Sequence, residues 1–218
     1  MKHLLKNKPV VVFMGTYPPR ECGIATFTQD LLHSSRQFLS TFITCKVVAL
    51  NLSPLDSYIY PPEVAWQISQ DNKKEYSDFA KNLNNNPLVA GVILQHEYGI
   101  YGGKEGENIL AFIERVKKPI LVTLHTVLPN PTPKMKQVTS RIIKRADVIV
   151  VLIHSSREIL EKIYPFSVGK VYIIPHGIHP TEFSSTQAAK KKLKLTHSTI
   201  LSTFGLLGRG KGIEYVIR

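Results

Sequence analysis

Cysteine is scarce in this 218-residue sequence, and long hydrophobic runs are absent. Cys22 and Cys45 are too few for a disulfide framework or a zinc site, so we interpret both as small buried hydrophobic residues in a reducing cytoplasm. No apolar run reaches the roughly 18–20 residues that a membrane-spanning helix needs. The N-terminus, MKHLLKNKP, is basic but has no apolar signal core, which argues against secretion. We therefore expect a cytoplasmic protein.

Several ligand-binding motifs are also missing. No GxGxxG follows the first apolar run, and the second ends near Asn51 without an acidic partner for a ribose, which disfavours dinucleotide binding. The sequence has no Walker A loop, no HExxH and no GxSxG elbow. His96 and Glu97 lack a third metal ligand at a convincing spacing, and the DxD pattern that holds a metal-bound diphosphate is absent. We expect neither metal nor cofactor, so any diphosphate chemistry must use backbone N–H groups and cationic side chains.

Acidic residues are few: 16 Asp and Glu stand against 28 Lys and Arg, a formal net charge of +12. Residues 130–218 hold 15 basic and 5 acidic residues, against 13 and 11 in residues 1–129. Two basic clusters contribute, at Lys134, Lys136, Arg141, Lys144 and Arg145, and at Lys190, Lys191, Lys192 and Lys194. A solvated helix face is the default interpretation of each, and an anionic surface is the functional alternative. Nucleic acid is disfavoured because no aromatic residues interleave the basic ones.

Strand and helix patterns alternate along the chain. Apolar, β-branched runs predict strands at Val10–Met14, Ile43–Leu50, Val64–Ile68, Leu88–Leu94, Ile120–Leu124, Val148–Ile153, Val171–Ile174 and Thr199–Phe204. Amphipathic segments predict helices at Gly23–Phe38, Lys73–Asn85, Gly106–Lys117, Lys134–Arg145, Ser155–Tyr164 and Ile213–Ile217. This alternation indicates the α/β class, with a Rossmann-like, doubly wound parallel sheet and helices on both faces.

One boundary stands out, the polar, lysine-rich segment from Pro180 to Ser198. We predict a nearly complete first domain over residues 1–183 and a basic linker over 184–198. Residues 199–218 would then form the first strand and turn of a second domain.

The loop from Gly15 to Phe27, GTYPPRECGIATF, is the most informative segment of the sequence. It joins a buried strand to a helix and includes Arg20 and Gly23. The unpaired N–H groups and the positive dipole of a helix N-terminus suit a phosphate or another anion. A tight turn without a ligand explains the same glycines equally well.

Three further strand ends carry histidine. QHEYGIYGG contains His96, Glu97, Gly102 and Gly103, HTVLP begins with His125, and PHGI contains His176 and Gly177. Ligands gather at the carboxyl ends of parallel strands. A lone histidine there is usually structural, but three at one rim favour a polar site over a merely capped sheet edge.

The segment Thr203–Glu214, TFGLLGRGKGIE, adds a fourth candidate with Gly208, Arg209 and Lys211. Glycine lets a phosphate approach the backbone, and the two cations would neutralise a leaving diphosphate. Glycine-rich basic loops also occur as plain turns.

Taken in order, the first loop, QHEYGIYGG, TLHT, IPHG and GRGKG resemble the retaining glycosyltransferases of the two-domain GT-B fold, the group-1 or GT4 type. The resemblance covers almost the whole chain. It implies metal-independent transfer of a hexose from a nucleotide-diphosphate sugar to a hydroxyl acceptor, with the acceptor held mainly by the first domain. The implied partners are that donor and a saccharide or lipid-linked acceptor, with a peripheral position at the inner face of an anionic membrane as an option.

The resemblance also implies residue roles. Gly23 would offer an N–H to the donor phosphate, His125 would lie beside the reacting sugar, and Lys211 would hold the diphosphate. Arg209 stands two residues before Lys211, which departs from the family spacing; we favour a shifted contact with the same phosphate over a different residue. The other substrate-binding candidates are Gly15, Arg20, His96, Gly102, Gly103, His176, Gly177 and Gly208. Glu97 is a candidate base, and the alternative is a hydrogen-bonded His96–Glu97 pair that fixes the glycine-rich loop.

The sequence departs from the family where it ends, at Arg218, without the paired-glutamate motif of the donor domain. We expect a fragment or a half that acts with another chain, and no transferase activity from these residues alone. The alternative class is a non-catalytic anion- or membrane-binding module that uses the basic 130–218 region.

Overall fold

The computed structural model describes residues 8–53, 58–165, 169–203 and 212–217. These residues divide into two compact units, one that ends at His176 and one that begins at Gly177. The first unit holds the sheet and is described first.

Seven strands of the described residues form one fully parallel sheet. They are β1 (Val10–Gly15), β2 (Thr44–Asn51), β3 (Val64–Ser69), β4 (Val89–His96), β5 (Ile120–Leu124), β6 (Val148–Val151) and β7 (Val171–Ile173). Their order is β3-β2-β1-β4-β5-β6-β7. The order reverses between β1 and β4, and a doubly wound sheet opens its ligand crevice at such a reversal. The seven predicted strands up to residue 174 are confirmed within two residues at each end.

Five α-helices of the described residues accompany the sheet: α1 (Gly23–Leu39), α2 (Lys73–Asn85), α3 (Leu110–Ile113), α4 (Pro133–Arg145) and α5 (His154–Ile163). Side-chain caps begin two of them. Asn72 accepts a hydrogen bond from the Lys74 N–H, and Thr132 accepts one from the Met135 N–H ahead of Pro133 in the first turn. These caps satisfy N–H groups that a helix leaves unpaired at its start.

The predicted long helix Gly106–Lys117 is confirmed only over Leu110–Ile113. Two 3-10 segments (Tyr98–Ile100 and Lys104–Ile109) precede α3, which is one turn long. Glu105 and Gly106 both have positive φ, at 55° and 76°, and this left-handed backbone interrupts a helix. A Cβ at Gly106 would lie 2.6 Å from the Tyr98 carbonyl oxygen. The chain turns tightly here because the loop after β4 folds back on itself.

The core lies on both faces of the sheet, as alternation along β1 shows. Val12 and Met14 pack in a large cluster with α2, α3 and α4, while Phe13 packs in a smaller cluster with Leu32 of α1. Cys45 is buried in the smaller cluster, and Cys22 is half-buried. Strands covered on both faces need apolar residues in succession, which is why the runs could be read from the sequence.

The second unit contains α6 (Thr186–Lys192) and α7 (Ile213–Ile217). The Ser185 hydroxyl caps α6 by accepting from the Ala188 N–H at 3.2 Å, so the predicted linker 184–198 contains a helix. Residues 199–203 of the predicted strand Thr199–Phe204 are not a strand, since no partner strand in the described part of the chain pairs with them, and Phe204 lies outside the described residues. The predicted boundary at 183 falls a few residues beyond the division at His176, and the donor-domain assignment stays a prediction.

Among the helices that the structure describes, none has both the length and the apolar character needed to cross a bilayer.

Candidate functional site

At the carboxyl end of the sheet, two of the three predicted histidines, His125 and His176, contact Phe27 of α1, and the third, His96, adjoins His125. The His125 N–H donates to the His96 carbonyl oxygen at 3.0 Å, which joins the ends of β4 and β5. Phe27 of α1 meets His125 edge-on at a ring-centroid distance of 4.7 Å and His176 at 5.4 Å. The two histidine rings are 6.3 Å apart. We call the residues at this end of the sheet the carboxyl-end rim. They are Gly15, Gly23, Phe27, Gln95, His96, Glu97, Gly102, Gly103, His125, Thr126 and His176.

His125 is half-buried and hydrogen-bonded by a neighbouring side chain. Its Nε2 lies 2.9 Å from Oε1 of Gln95, the residue before His96 on β4. Burial, and next the proximity of His176, lower the pKa of His125 from 6.5 to about 4. The imidazole is therefore neutral at pH 7, where it can exchange hydrogen bonds with hydroxyl groups but adds no positive charge.

The N-terminus of α1 is open. Its N-cap residue, Cys22, makes no side-chain capping bond, although its carbonyl oxygen accepts from Ala25 and Thr26. Gly23 is exposed, and a Cβ built there would have no atom within 4 Å. With 17 residues behind it, α1 presents unpaired N–H groups and the positive end of its dipole to this space. An anion fits such a position.

His96 is a buried member of the carboxyl-end rim, since only 1% of the residue is exposed. Neither ring nitrogen has a hydrogen-bond partner among the described residues. The ring stacks on Tyr101 at 5.9 Å and meets Tyr98 edge-on at 5.0 Å. Burial, and next the proximity of His125, lower its pKa to about 3. His96 is thus a neutral packing residue, and a direct role in substrate contact stays a prediction.

Glu97 does not pair with His96, so the alternative of a hydrogen-bonded His96–Glu97 pair is wrong. One carboxylate oxygen accepts from the Tyr98 N–H at 2.9 Å, and the other accepts a short hydrogen bond from the Thr126 hydroxyl. The reason is geometric. The His96 ring stacks on Tyr101, whereas the Glu97 carboxylate reaches Thr126, which follows β5. Glu97 ties the loop after β4 to the loop after β5, and its role as a base stays a prediction.

The glycines of the carboxyl-end rim differ in what surrounds them. A Cβ at Gly15 would lie 3.0 Å from Thr28 Oγ1 and 3.2 Å from Gln95 Cβ, so this glycine makes room for its neighbours. Gly102 has φ +58°, and a Cβ there would collide with the Gln70 carbonyl. Gly103 has φ +67°. All three have a structural reason to be glycine, whereas Gly23 has open space.

Arg20 also has defined protein partners. Its guanidinium donates to the Leu50 carbonyl oxygen at 3.0 Å and to Gln70 Oε1 at 3.2 Å. It therefore ties the first loop to the ends of β2 and β3, and contact with a substrate stays a prediction.

The remaining candidates fall elsewhere. Gly208, Arg209 and Lys211 lie outside the described residues. Gly177 is exposed and belongs to the second unit. Within the described ranges no group of three or more His, Cys, Asp or Glu side chains could hold a metal ion.

Three residues of the carboxyl-end rim were not among the predicted site residues: Gln95, Phe27 and Thr126. The sequence did contain a signal for Gln95, because a polar residue at the end of a buried apolar strand needs a partner. Thr126 stands next to His125 at the end of a predicted strand, which is a signal of the same kind. Phe27 gave no such signal, since aromatic residues are common in helices.

No protein-family model matches the sequence, and no curated protein matches it. Solved structures do resemble it. One is an alpha-glucosyltransferase in complex with UDP and a 13-mer DNA containing an HMU base, with a TM-score of 0.52 and 14% identity over 76% of this chain. Another is an alpha-glucosyltransferase in complex with UDP-glucose and DNA containing an abasic site, with a TM-score of 0.51 and 14% identity over 75% of this chain.

This chain spans 42% and 41% of the length of those two structures. At 14% identity the likeness concerns the fold alone. The seven-stranded parallel sheet is Rossmann-like and matches that of a GT-B domain.

Proposed function

We propose that this chain is the acceptor-side half of a retaining glycosyltransferase that uses a nucleotide-diphosphate sugar, without a metal, as the family resemblance implies. The observation that carries the proposal is the open N-terminus of α1 at Gly23, with the neutral His125 against Phe27 one turn further along the same helix. One feature suits a phosphate and the other suits a sugar hydroxyl. Both lie at the carboxyl-end rim of a GT-B-type sheet, where such folds bind ligands.

In the proposed reaction, the bond between the anomeric carbon and the diphosphate oxygen breaks, and a bond to the acceptor oxygen forms on the same face. The acceptor proton passes to the leaving diphosphate. The helix N-terminus at Gly23 stabilises the developing negative charge, and preorganised dipoles of this kind are effective because they need no reorganisation. His125 orients the sugar. Lys211 and Arg209 keep their predicted role on the diphosphate, and Glu97 keeps the two loops together.

The alternative, an anion- or membrane-binding module, receives less support because at least three of the five basic residues of α4 have partners within the protein. Lys134 pairs with Glu107 and Arg141 pairs with Glu114. Arg145 donates to main-chain carbonyl oxygens of residues 116 and 118. Ion pairs of this kind leave little charge for a membrane or a free anion.

Backbone NMR of the isotopically labelled chain tests the proposal by titration with UDP-glucose, UDP, glucose and inorganic phosphate. UDP-glucose is the probe because one solved structure of similar fold is a complex with it. We expect shifts at Gly23 and His125 that are larger with UDP-glucose than with either of its parts. His125→Ala should weaken binding about tenfold, the effect of losing one good hydrogen bond.

The matched control is His33→Ala, which removes an exposed histidine of α1, the helix that begins at Gly23. His33 lines an open cleft of about 600 Å³ at the amino-terminal end of the sheet, with Lys8, Arg36 and Lys46. This variant should bind UDP-glucose like the wild type. Equal shifts with phosphate alone, shifts confined to that cleft, or no binding of UDP-glucose would refute the donor-binding proposal.

A further inference from the structure

Gln95 is buried at the centre of the carboxyl-end rim. We propose that it is a positioning residue, which holds His125 as the Nε2–H tautomer and leaves Nδ1 as a hydrogen-bond acceptor for a sugar hydroxyl. This inference rests on the proposed function of His125. The residue belongs to β4, between β1 and β5, and it was not among the predicted site residues.

The side chain of Gln95 has little freedom. The residue is 0% exposed, and its own carbonyl oxygen accepts from the Tyr101 hydroxyl at 2.6 Å. On the β1 side, the missing Cβ of Gly15 leaves the space that the first two side-chain carbons of Gln95 occupy. Neighbours on both sides therefore direct the amide toward His125.

The hydrogen bond decides the tautomer. A neutral imidazole has one N–H and one lone pair, and an amide oxygen can only accept. We infer from the 2.9 Å contact between Gln95 Oε1 and His125 Nε2 that the proton is on Nε2 and the lone pair on Nδ1. The amide nitrogen of Gln95 is itself buried without a hydrogen-bond partner among the described residues. Nδ1 has no partner among the described residues and, unlike the ring nitrogens of His96, is not buried.

The surroundings of His125 keep the ring neutral. The titratable groups nearest to it are His176 after β7, His96 at the end of β4 and Glu97 in the next loop. Burial, and next the proximity of His176, lower the pKa of His125 to about 4. A neutral Nδ1 acceptor selects a hydroxyl donor over a phosphate, because a phosphate oxygen would face a lone pair. The anion is left to the α1 N-terminus.

Nitrogen-15 NMR of the histidine rings at pH 7 tests the inference in the wild-type chain. We expect His125 to show protonated Nε2 and unprotonated Nδ1. The opposite tautomer would mean that the amide is turned, with its NH₂ group toward the ring, and would overturn the proposal. This measurement needs no variant and no active enzyme.

Gln95→Met keeps the length of the side chain and removes its polar atoms. We expect His125 to become a mixture of the two tautomers and UDP-glucose binding to weaken about tenfold. Gln95→Glu, which restores an acceptor oxygen, should restore the Nε2–H tautomer. An unchanged His125 spectrum in folded Gln95→Met would refute the positioning role.

Gln70→Met is the matched control, since Gln70 is an amide at the same end of the sheet whose oxygen accepts from Arg20 and not from His125. It should leave the His125 spectrum unchanged. The two proposals fail separately. A correct tautomer without UDP-glucose binding refutes the function alone, and UDP-glucose binding with the wrong tautomer refutes the positioning alone.

Discussion

The carboxyl-end rim and the basic face of α4 contrast in charge and in availability. Helix α4 carries five Lys and Arg residues, and three of them, Lys134, Arg141 and Arg145, have partners within the protein. The carboxyl-end rim has neutral histidines and an open helix N-terminus. The difference teaches that an anion site here depends on unpaired backbone N–H groups more than on the number of lysines.

The largest expected effect is a loss of stability in acid, which arises from the histidines of the carboxyl-end rim and not from α4. The pKa values of His96 and His125 in the folded state, about 3 and 4, lie below the unfolded value of 6.5. Below pH 6.5 these two histidines bind more protons in the unfolded chain than in the folded one. Their contribution to stability is therefore fully present above pH 6.5 and is lost as the pH falls. We expect a loss on the order of 5 kcal/mol between pH 7.5 and 4.5, measured by urea unfolding.

His96→Phe sharpens this prediction because it keeps a ring between Tyr98 and Tyr101 and removes the titrating group. About half of the acid-induced loss should disappear. A wild-type unfolding free energy that stays constant from pH 7.5 to 4.5 would show that the two histidines are not buried as described.

Substitution by alanine should affect stability differently at two glycines of the carboxyl-end rim. Gly102→Ala puts a side chain at φ +58° against the Gln70 carbonyl, so we expect a loss of about 2–3 kcal/mol in unfolding free energy. Gly23→Ala fills open space and should change stability by less than about 0.5 kcal/mol. Its effect should appear in UDP-glucose binding, which the methyl group obstructs. Equal stability losses in the two variants would contradict the distinction between packed and open glycines.

On the α4 face the expected effects are smaller and concern stability only. Arg145→Ala leaves the carbonyl oxygens of Val116 and Lys118 without their donor and should cost about 1–2 kcal/mol. Lys136→Ala, on the exposed side of the same helix, should change stability by less than about 0.5 kcal/mol. Neither variant should alter UDP-glucose binding more than twofold. A large loss of binding in Lys136→Ala would move the anion site from the rim to α4.

Much of the first unit could be predicted because a parallel sheet covered on both faces needs continuous apolar strands. The runs that became β1, β4 and β5 were recognisable for that reason, and so was the start of α1 at Gly23. The helix predicted over Gly106–Lys117 is shorter in the structure because Glu105 and Gly106 have positive φ. They form a tight turn, and the α-helix begins only at Leu110. Periodicity alone does not distinguish these cases.

The sequence by itself determined the α/β class, the strand segments and the polar residues at the strand ends, since these depend on local pattern and on the period of burial. Only the tertiary structure decided which of those residues meet. Gln95 contacts His125 because β4 lies between β1 and β5, and Gly23 stays open while Gly15 and Gly102 are packed. Neighbours across a sheet are set by strand order, and contacts between residues so far apart in sequence leave no mark in local periodicity.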